Sequence, residues 1–270
     1  MNGATSNDPT RLHATEAGGG DQPPLVFLHG FDGQAEVFGP LAAAFAAEGR
    51  HCLAFDLPGH GRSRDYPGFG PPKVAARAVI AELQRRGIDA VHVVGHSMGG
   101  AVACLMALFE PARVLSLTLL APGGFGPEIG VAPIRKMMDA RTDEDQIAAL
   151  QGMVAQAFAV HAQALEGLSD REGREEIRQV FDLLFSSGRQ GVLPLGAIAD
   201  AGIPIELLWG EADPVTPVAQ SENLPAAFTV TRLAGVGHML TLEVPDETLA
   251  AIRRAMARAA STGTEAASAR

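Results

Sequence analysis

Gly95-His96-Ser97-Met98-Gly99 reads G-x-S-x-G, and its chemistry depends on what flanks it. A short apolar, β-forming run from Ala90 to His96 comes before it, and an amphipathic stretch from Ala101 to Phe109 follows. A serine between such a strand and helix sits on a tight turn that pushes its hydroxyl outward, and the glycines keep side chains from blocking that turn. Ser97 is therefore a candidate nucleophile. The same serine could instead cap the helix, its oxygen accepting from an unpaired backbone donor of the first turn. A chain with 31 glycines also produces the pattern by chance. A base, an acid and an anion site elsewhere would decide between the two.

A hydroxyl attacks a carbonyl poorly unless an imidazole removes its proton, and that imidazole needs a third group to fix its tautomer and orientation. Of the eight histidines only His238 lies beyond the last expected strand, in Gly235-Val236-Gly237-His238, where two glycines make a loop able to reach across a sheet edge. The acid is best sought at Asp213, just after the apolar run Ile203 to Trp209, although a carboxylate before a proline is also an ordinary turn residue. A tetrahedral intermediate further needs preset donors for its negative charge. The apolar run Leu25-Val26-Phe27-Leu28 ends in His29-Gly30-Phe31-Asp32-Gly33, so the backbone N–H of Phe31 can be aimed beside that of Met98, which also gains from the dipole of its helix. His29 is read as shaping that loop rather than as a base.

On these segments, together with Phe55-Asp56-Leu57-Pro58-Gly59-His60-Gly61-Arg62-Ser63, the chain resembles the α/β-hydrolase superfamily. The order serine, acid, histidine is the one that arrangement requires. The resemblance spans most of the chain. It implies that Ser97 is the nucleophile, His238 the base and Asp213 the orienting acid, with Phe31 and Met98 as oxyanion donors. A weaker likeness, over Ala121-Pro122-Gly123-Gly124-Phe125-Gly126-Pro127-Glu128-Ile129, is to the acyltransferase-like hydrolase domain of acetoin dehydrogenase E2 components.

The elements that must position these residues can be read from hydropathy. Apolar runs at Leu25 to Leu28, Cys52 to Phe55, Val91 to Val94, Val114 to Leu120, Ile203 to Trp209 and Phe228 to Leu233 alternate with helical patterns. Continuous rather than alternating hydrophobicity marks strands buried on both faces, hence an α/β fold with a mostly parallel sheet flanked by helices. Arg11 to Glu16 is expected to add an antiparallel strand near the edge. Ligands of such sheets bind at the strands' C-terminal ends, where all the proposed elements fall.

The stretch from Leu120 to Ile203 is far longer than a crossover needs. Helical patterns over Thr142 to Val160 and Arg171 to Phe185 predict an inserted helical cap at 123–195, with roughly three or four helices, over a core of 1–122 and 196–270. The expected pocket wall takes His29, Gly30, Phe125, Ile134 and Met137. Met138, Phe158, Phe181 and Met239 complete it, with Met153 and Phe185 among the cap's other apolar side chains. Asp56 and His60 are read as holding a loop, and His96 as packing or hydrogen-bonding behind the elbow.

Composition narrows the function classes. The 270 residues, 47% of them hydrophobic, suffice for one large domain with an insertion. A net charge of −10 without a dense basic run argues against nucleic-acid or anionic-membrane partners. No long apolar span and no signal-like start is present, so a cytoplasmic location is expected, with reduced thiols at Cys52 and Cys104. Residues 1–10 and 261–270 are small and polar and are expected to be disordered. No metal-ligand set and no dinucleotide fingerprint emerges, so no cofactor is expected; oligomeric state is left open.

The nucleophile's identity sets the expected reaction. Dehalogenases and epoxide hydrolases of this superfamily use an aspartate where this chain has Ser97, so an acyl-enzyme is implied instead. Hydrolysis of carboxylic esters with small or medium acyl groups leads. Acyl transfer to a thiol follows from the E2-like resemblance, although an E2 component also carries a lipoyl domain for which the N-terminal residues leave no room. A C–C bond hydrolase is a further reading, disfavoured because that family usually shows Gly-Asn-Ser-Met-Gly-Gly at the elbow. A ligand receptor on the same fold is the non-enzymatic one.

Overall fold

The structure is a computed structural model in which residues 10–165 and 174–268 are described. In chain order it runs β1 (Ala14–Ala17), β2 (Leu25–Leu28), α1 (Gly39–Ala47), β3 (Cys52–Phe55), α2 (Pro72–Arg85), β4 (Val91–His96), α3 (Met98–Phe109) and β5 (Val114–Leu120). The insertion carries α4 (Val131–Asp139), α5 (Asp143–Gln151) and α6 (Arg174–Phe185), and α7 (Leu195–Ala199) leads back to the sheet. β6 (Ile205–Gly210), β7 (Phe228–Leu233), α8 (Leu240–Glu243) and α9 (Pro245–Ser268) complete the chain.

The strands form one sheet in the order β1-β3-β2-β4-β5-β6-β7, with every pairing parallel except β1 against β3. The continuous apolar runs explain it. All residues of β2, β3, β4 and β6 are buried, because helices cover both faces. Burying each large side chain there is worth about 1.5–3 kcal/mol, so polar substitution in these strands would dismantle the sheet. β1 lies at the edge and is only half-buried.

Two differences from the sequence reading have local causes. The helical pattern over 142–160 stops at Gln151, where Gly152 ends α5 and its N–H turns back to the Ala149 carbonyl. At the other end of that helix Thr142 caps it, its hydroxyl accepting from Asp145 N–H while the Asp145 carboxylate accepts from Thr142 N–H. The C-terminal segment expected to be disordered is helical through Ser268, continuing α9 from its alanine-rich stretch at 255–260, which favours helix. The matching expectation for residues 1–9, and the start of the predicted helix at 171–173, lie outside the described residues. Among the described residues, no helix is long and apolar enough to cross a membrane.

The insertion has its own apolar cluster. Met138, Ala149, Ile177, Phe181 and Phe185 pack together with Ile134 and Met137. Its cluster also reaches Val215 and Met239, so it sits against the C-terminal ends of the strands.

Candidate active site

Ser97 stands between β4 and α3 with φ 53° and ψ −119°, a left-handed conformation that side chains rarely adopt. Its backbone is tied down on both sides. Ser97 N–H donates to the Leu120 carbonyl, and the Ser97 carbonyl accepts from Gly100 and Gly123, each at 2.9 Å. Glycine is required at two flanking positions by close backbone approach. A Cβ on Gly95 would lie 2.3 Å from the Gly99 carbonyl oxygen, and one on Gly99 would lie 2.0 Å from that of Leu28. No side-chain capping bond is made by Ser97 at the start of α3, so the capping alternative is not the one realised.

His238 follows β7 on the glycine loop. Its Nδ1 donates to Asp213 Oδ2 at 2.8 Å, and both side chains are buried. Asp213 is saturated with donors: Oδ1 accepts from Val215 and Thr216 N–H at 2.7 and 2.9 Å, and Oδ2 also accepts the Thr216 hydroxyl at 2.9 Å. Burial pushes this carboxyl up, but the His238 charge and the donated hydrogen bonds outweigh it and hold the group below the usual carboxylate range. A fixed carboxylate on Nδ1 leaves Nε2 as the nitrogen available for proton transfer.

The backbone of His238 is held as firmly as its ring. Its N–H donates to the Met153 carbonyl at 2.8 Å. Its carbonyl accepts from Nε2 of His96 at 2.9 Å, and the two rings stand 4.8 Å apart. Burial pushes His96 down to about 3, so it is a neutral donor rather than a second base.

Ser97, His238, Phe31 and Met98 line one cavity of about 530 Å³. Among the described residues, neither the Phe31 nor the Met98 backbone N–H has a protein acceptor, and both residues line the same cavity as Ser97. His29 shapes this loop: Nδ1 donates to the Gly30 carbonyl at 2.7 Å and Nε2 accepts from Leu57 N–H at 3.0 Å. With both nitrogens used and burial pushing it down to about 4, it has no role as a base. Asp56 likewise ties the neighbouring loop, accepting from Ala35 and Arg62 N–H at 2.7 and 2.8 Å. Among the described residues no group of three or more His, Cys, Asp or Glu could hold a metal ion.

Of the pocket residues expected from sequence, His29, Gly30, Ile134, Met137 and Met239 line the cavity, as do Met153 and Phe185. Four do not. Phe125 turns into the main core, edge-on to Trp209 and Phe228. Met138 packs inside the insertion's own cluster, and Phe181 packs there against Phe31 and Phe185. Phe158 lies past the end of α5, beside a separate surface groove with Gln151 and Pro214. Leu105, Leu150, Leu193 and Val215 form wall that the sequence reading missed. Periodicity marks them only as apolar; nothing in it separates a core face from a cavity face.

Comparison with known proteins shows the family. A profile of the alpha/beta hydrolase family matches residues 25–252. The chain is 32% identical over 257 residues to the dihydrolipoyllysine-residue acetyltransferase component of the acetoin cleaving system of Cupriavidus necator, covering 92% of this chain and 67% of that protein. For the Pseudomonas putida protein of the same name the identity is also 32%, over 86% of this chain and 63% of that protein, so the chain spans about two thirds of these relatives. It is 32% identical to the pimeloyl-[acyl-carrier protein] methyl ester esterase of Chromobacterium violaceum, over 77% of this chain and 84% of that one. Among solved structures, the meta-cleavage product hydrolase of Pseudomonas fluorescens IP01 superposes with a TM-score of 0.78 at 17% identity, covering 92% of this chain and 94% of that one.

Proposed function

Because the chain belongs to the alpha/beta hydrolase family, we propose that it is a serine hydrolase cleaving carboxylic esters of small or medium acyl groups through an acyl-enzyme. The observation that carries this reading is that Ser97, on its strained turn, lines the same cavity as a carboxylate-held His238 and as Phe31 and Met98, whose N–H groups have no protein acceptor among the described residues.

In this reading the Ser97 hydroxyl oxygen attacks the ester carbonyl while His238 Nε2 takes its proton. The carbonyl oxygen becomes an oxyanion held by the N–H groups of Phe31 and Met98, which are preset and need no reorganisation. Collapse breaks the bond to the alkoxy group, which leaves as an alcohol with the proton from His238. Water then attacks the acyl-serine with His238 again as base, releasing the carboxylic acid and restoring Ser97. Asp213 keeps Nδ1 protonated and stabilises the imidazolium throughout. Among the described residues no hydrogen bond joins Ser97 to His238 at rest; in this chemistry that bond often tightens only once substrate is bound.

A cavity of about 530 Å³ falls within the roughly 300–1,000 Å³ of small-ligand sites. Ile134, Met137, Leu150 and Met153 give it an acyl-binding wall in which the inserted helices act as a cap. Methionines suit varied acyl shapes. The free, buried thiols of Cys52 and Cys104 fit a reducing, cytoplasmic compartment. A second reading, acyl transfer to a thiol, draws on the likeness to the acetoin-system component.

A panel of p-nitrophenyl esters, acyl-thioesters and dienone acids, run with the Ser97→Ala variant as control, tests these readings together. Ester turnover that disappears in Ser97→Ala supports the leading one. Cleavage of the dienone acids alone would overturn it, and absence of fluorophosphonate labelling would leave only a ligand-binding role.

A further inference from the structure

The carboxylate of Glu243, at the end of α8, collects three backbone donors. Its Oε2 accepts from Gly237 N–H and from Ala155 N–H, both at 2.8 Å, and its Oε1 accepts from Met239 N–H at 3.0 Å. Gly237 and Met239 are the residues on either side of His238. Ala155 belongs to the insertion, four residues beyond α5. One carboxylate therefore clamps the His238 loop to the insertion.

The contact between these two segments is backbone to backbone. A Cβ on Gly237 would lie 2.6 Å from Ala155 N, so only glycine lets the segments approach this closely. A second bond reinforces the clamp, from His238 N–H to the Met153 carbonyl at 2.8 Å. The side chains of Leu150 and Met153 meanwhile line the cavity. Leu150 and Met153 thus face whatever fills the cavity, while the Met153 carbonyl and the Ala155 N–H are tied to the His238 loop and to the carboxylate that holds it. Hydrogen bonds to a charged acceptor are roughly twice as strong as neutral ones, which suits Glu243 to transmit position between the two.

We infer that Glu243 is a positioning residue that couples acyl-chain contact along 150–155 to the placement of His238, so that a longer acyl group sets the base more firmly than a short one. The inference rests on the proposed roles of Ser97 and His238. No reacting atom touches Glu243 in this scheme; it acts only through the loop it holds.

The test compares wild type, Glu243→Ala and Glu243→Gln on p-nitrophenyl acetate, butyrate and octanoate. Active sites are counted by fluorophosphonate labelling taken to completion, and kcat is expressed per labelled site. Glu243→Ala is expected to lower that kcat on the order of tenfold for acetate and on the order of a hundredfold for octanoate, with KM moving less than about threefold. Glu243→Gln keeps one carbonyl oxygen for Gly237 and Ala155 but sets an amide against Met239 N–H, so it falls between wild type and Glu243→Ala. It also carries the test if the alanine variant does not fold. A kcat per labelled site that stays at the wild-type value, with only the labelled fraction or the melting temperature reduced, would mean a merely structural role and overturn the proposal. Equal losses on all three esters would overturn the coupling. The triad reading fails separately, if Ser97→Ala retains the wild-type turnover; a wild type that turns over none of the esters would remove both.

Discussion

Nε2 of His96 donates to the backbone carbonyl of His238 at 2.9 Å, so the residue before the proposed nucleophile steadies the residue proposed as its base. The chain thereby links the two loops by a bond that spans 142 residues. Replacing His96 with alanine removes the donor and opens space behind the imidazole. We expect kcat to fall about 5- to 10-fold with little change in KM, corresponding to one net hydrogen bond of roughly 1 kcal/mol. Steady-state kinetics on a p-nitrophenyl ester checks this; an unchanged kcat would show that the His238 loop holds itself.

Asp213→Asn keeps the side chain's shape but replaces the carboxylate that fixes Nδ1–H. The loss in kcat should be on the order of 10³–10⁴-fold, as for the corresponding change in serine proteases. A loss below tenfold would mean that Asp213 serves mainly to cap Val215 and Thr216, whose N–H groups it also accepts.

The strained turn makes a prediction that opposes activity to stability. Ser97 at φ 53° costs on the order of 1–3 kcal/mol relative to glycine, which adopts such angles freely. Ser97→Gly should melt above Ser97→Ala by roughly 2–12 °C while both lose ester turnover. Thermal unfolding of the two inactive variants decides it. Equal melting temperatures would show that the turn is not strained in solution.

How far the sequence could be read follows from the same physics. That Ser97, Asp213 and His238 fall on turns beyond strands was legible because each sits where a continuous apolar run gives way to glycine or proline, and short-range turn chemistry is written locally. The sheet was legible for a related reason, since β2, β3, β5 and β7 are bounded where their apolar runs end. The pocket wall was not. Phe125, assigned to it from sequence, is drawn into the core by Trp209 and Phe228, distant partners that no local pattern announces. Glu243 escaped notice because its three partners are backbone N–H groups, two of them near in sequence and one in the insertion.

Acid should unfold the protein through its buried imidazoles. Burial pushes His29, His60 and His92 down to about 4 and His96 to about 3. Their folded values lie below the ordinary value, so the unfolded chain binds more protons between the two. The stability they contribute is complete above about pH 6.5 and is lost as pH falls toward 4, at up to about 1.4 kcal/mol per pH unit for each. Urea midpoints measured at pH 7.5, 6 and 5 should fall steeply. Midpoints that stay level would mean that these rings reach solvent.

Ile134 and Met137 on α4 line the cavity. Met137→Trp should fill part of it and lower kcat/KM for the octanoyl ester on the order of tenfold, with a much smaller loss for the acetyl ester. Parallel losses for both esters would place the acyl chain elsewhere.

In the proposed reaction an acyl group rests on the Ser97 oxygen between two half-reactions. Rapid acid quench of the protein turning over a p-nitrophenyl ester, followed by mass spectrometry of the peptide containing Ser97, tests it most directly. A peptide heavier by the acyl group less one hydrogen is expected, absent from Ser97→Ala and accumulating further in His238→Ala if acylation still proceeds slowly there. Ester turnover without any acylated Ser97 peptide, or with the acyl group on another side chain, would contradict it.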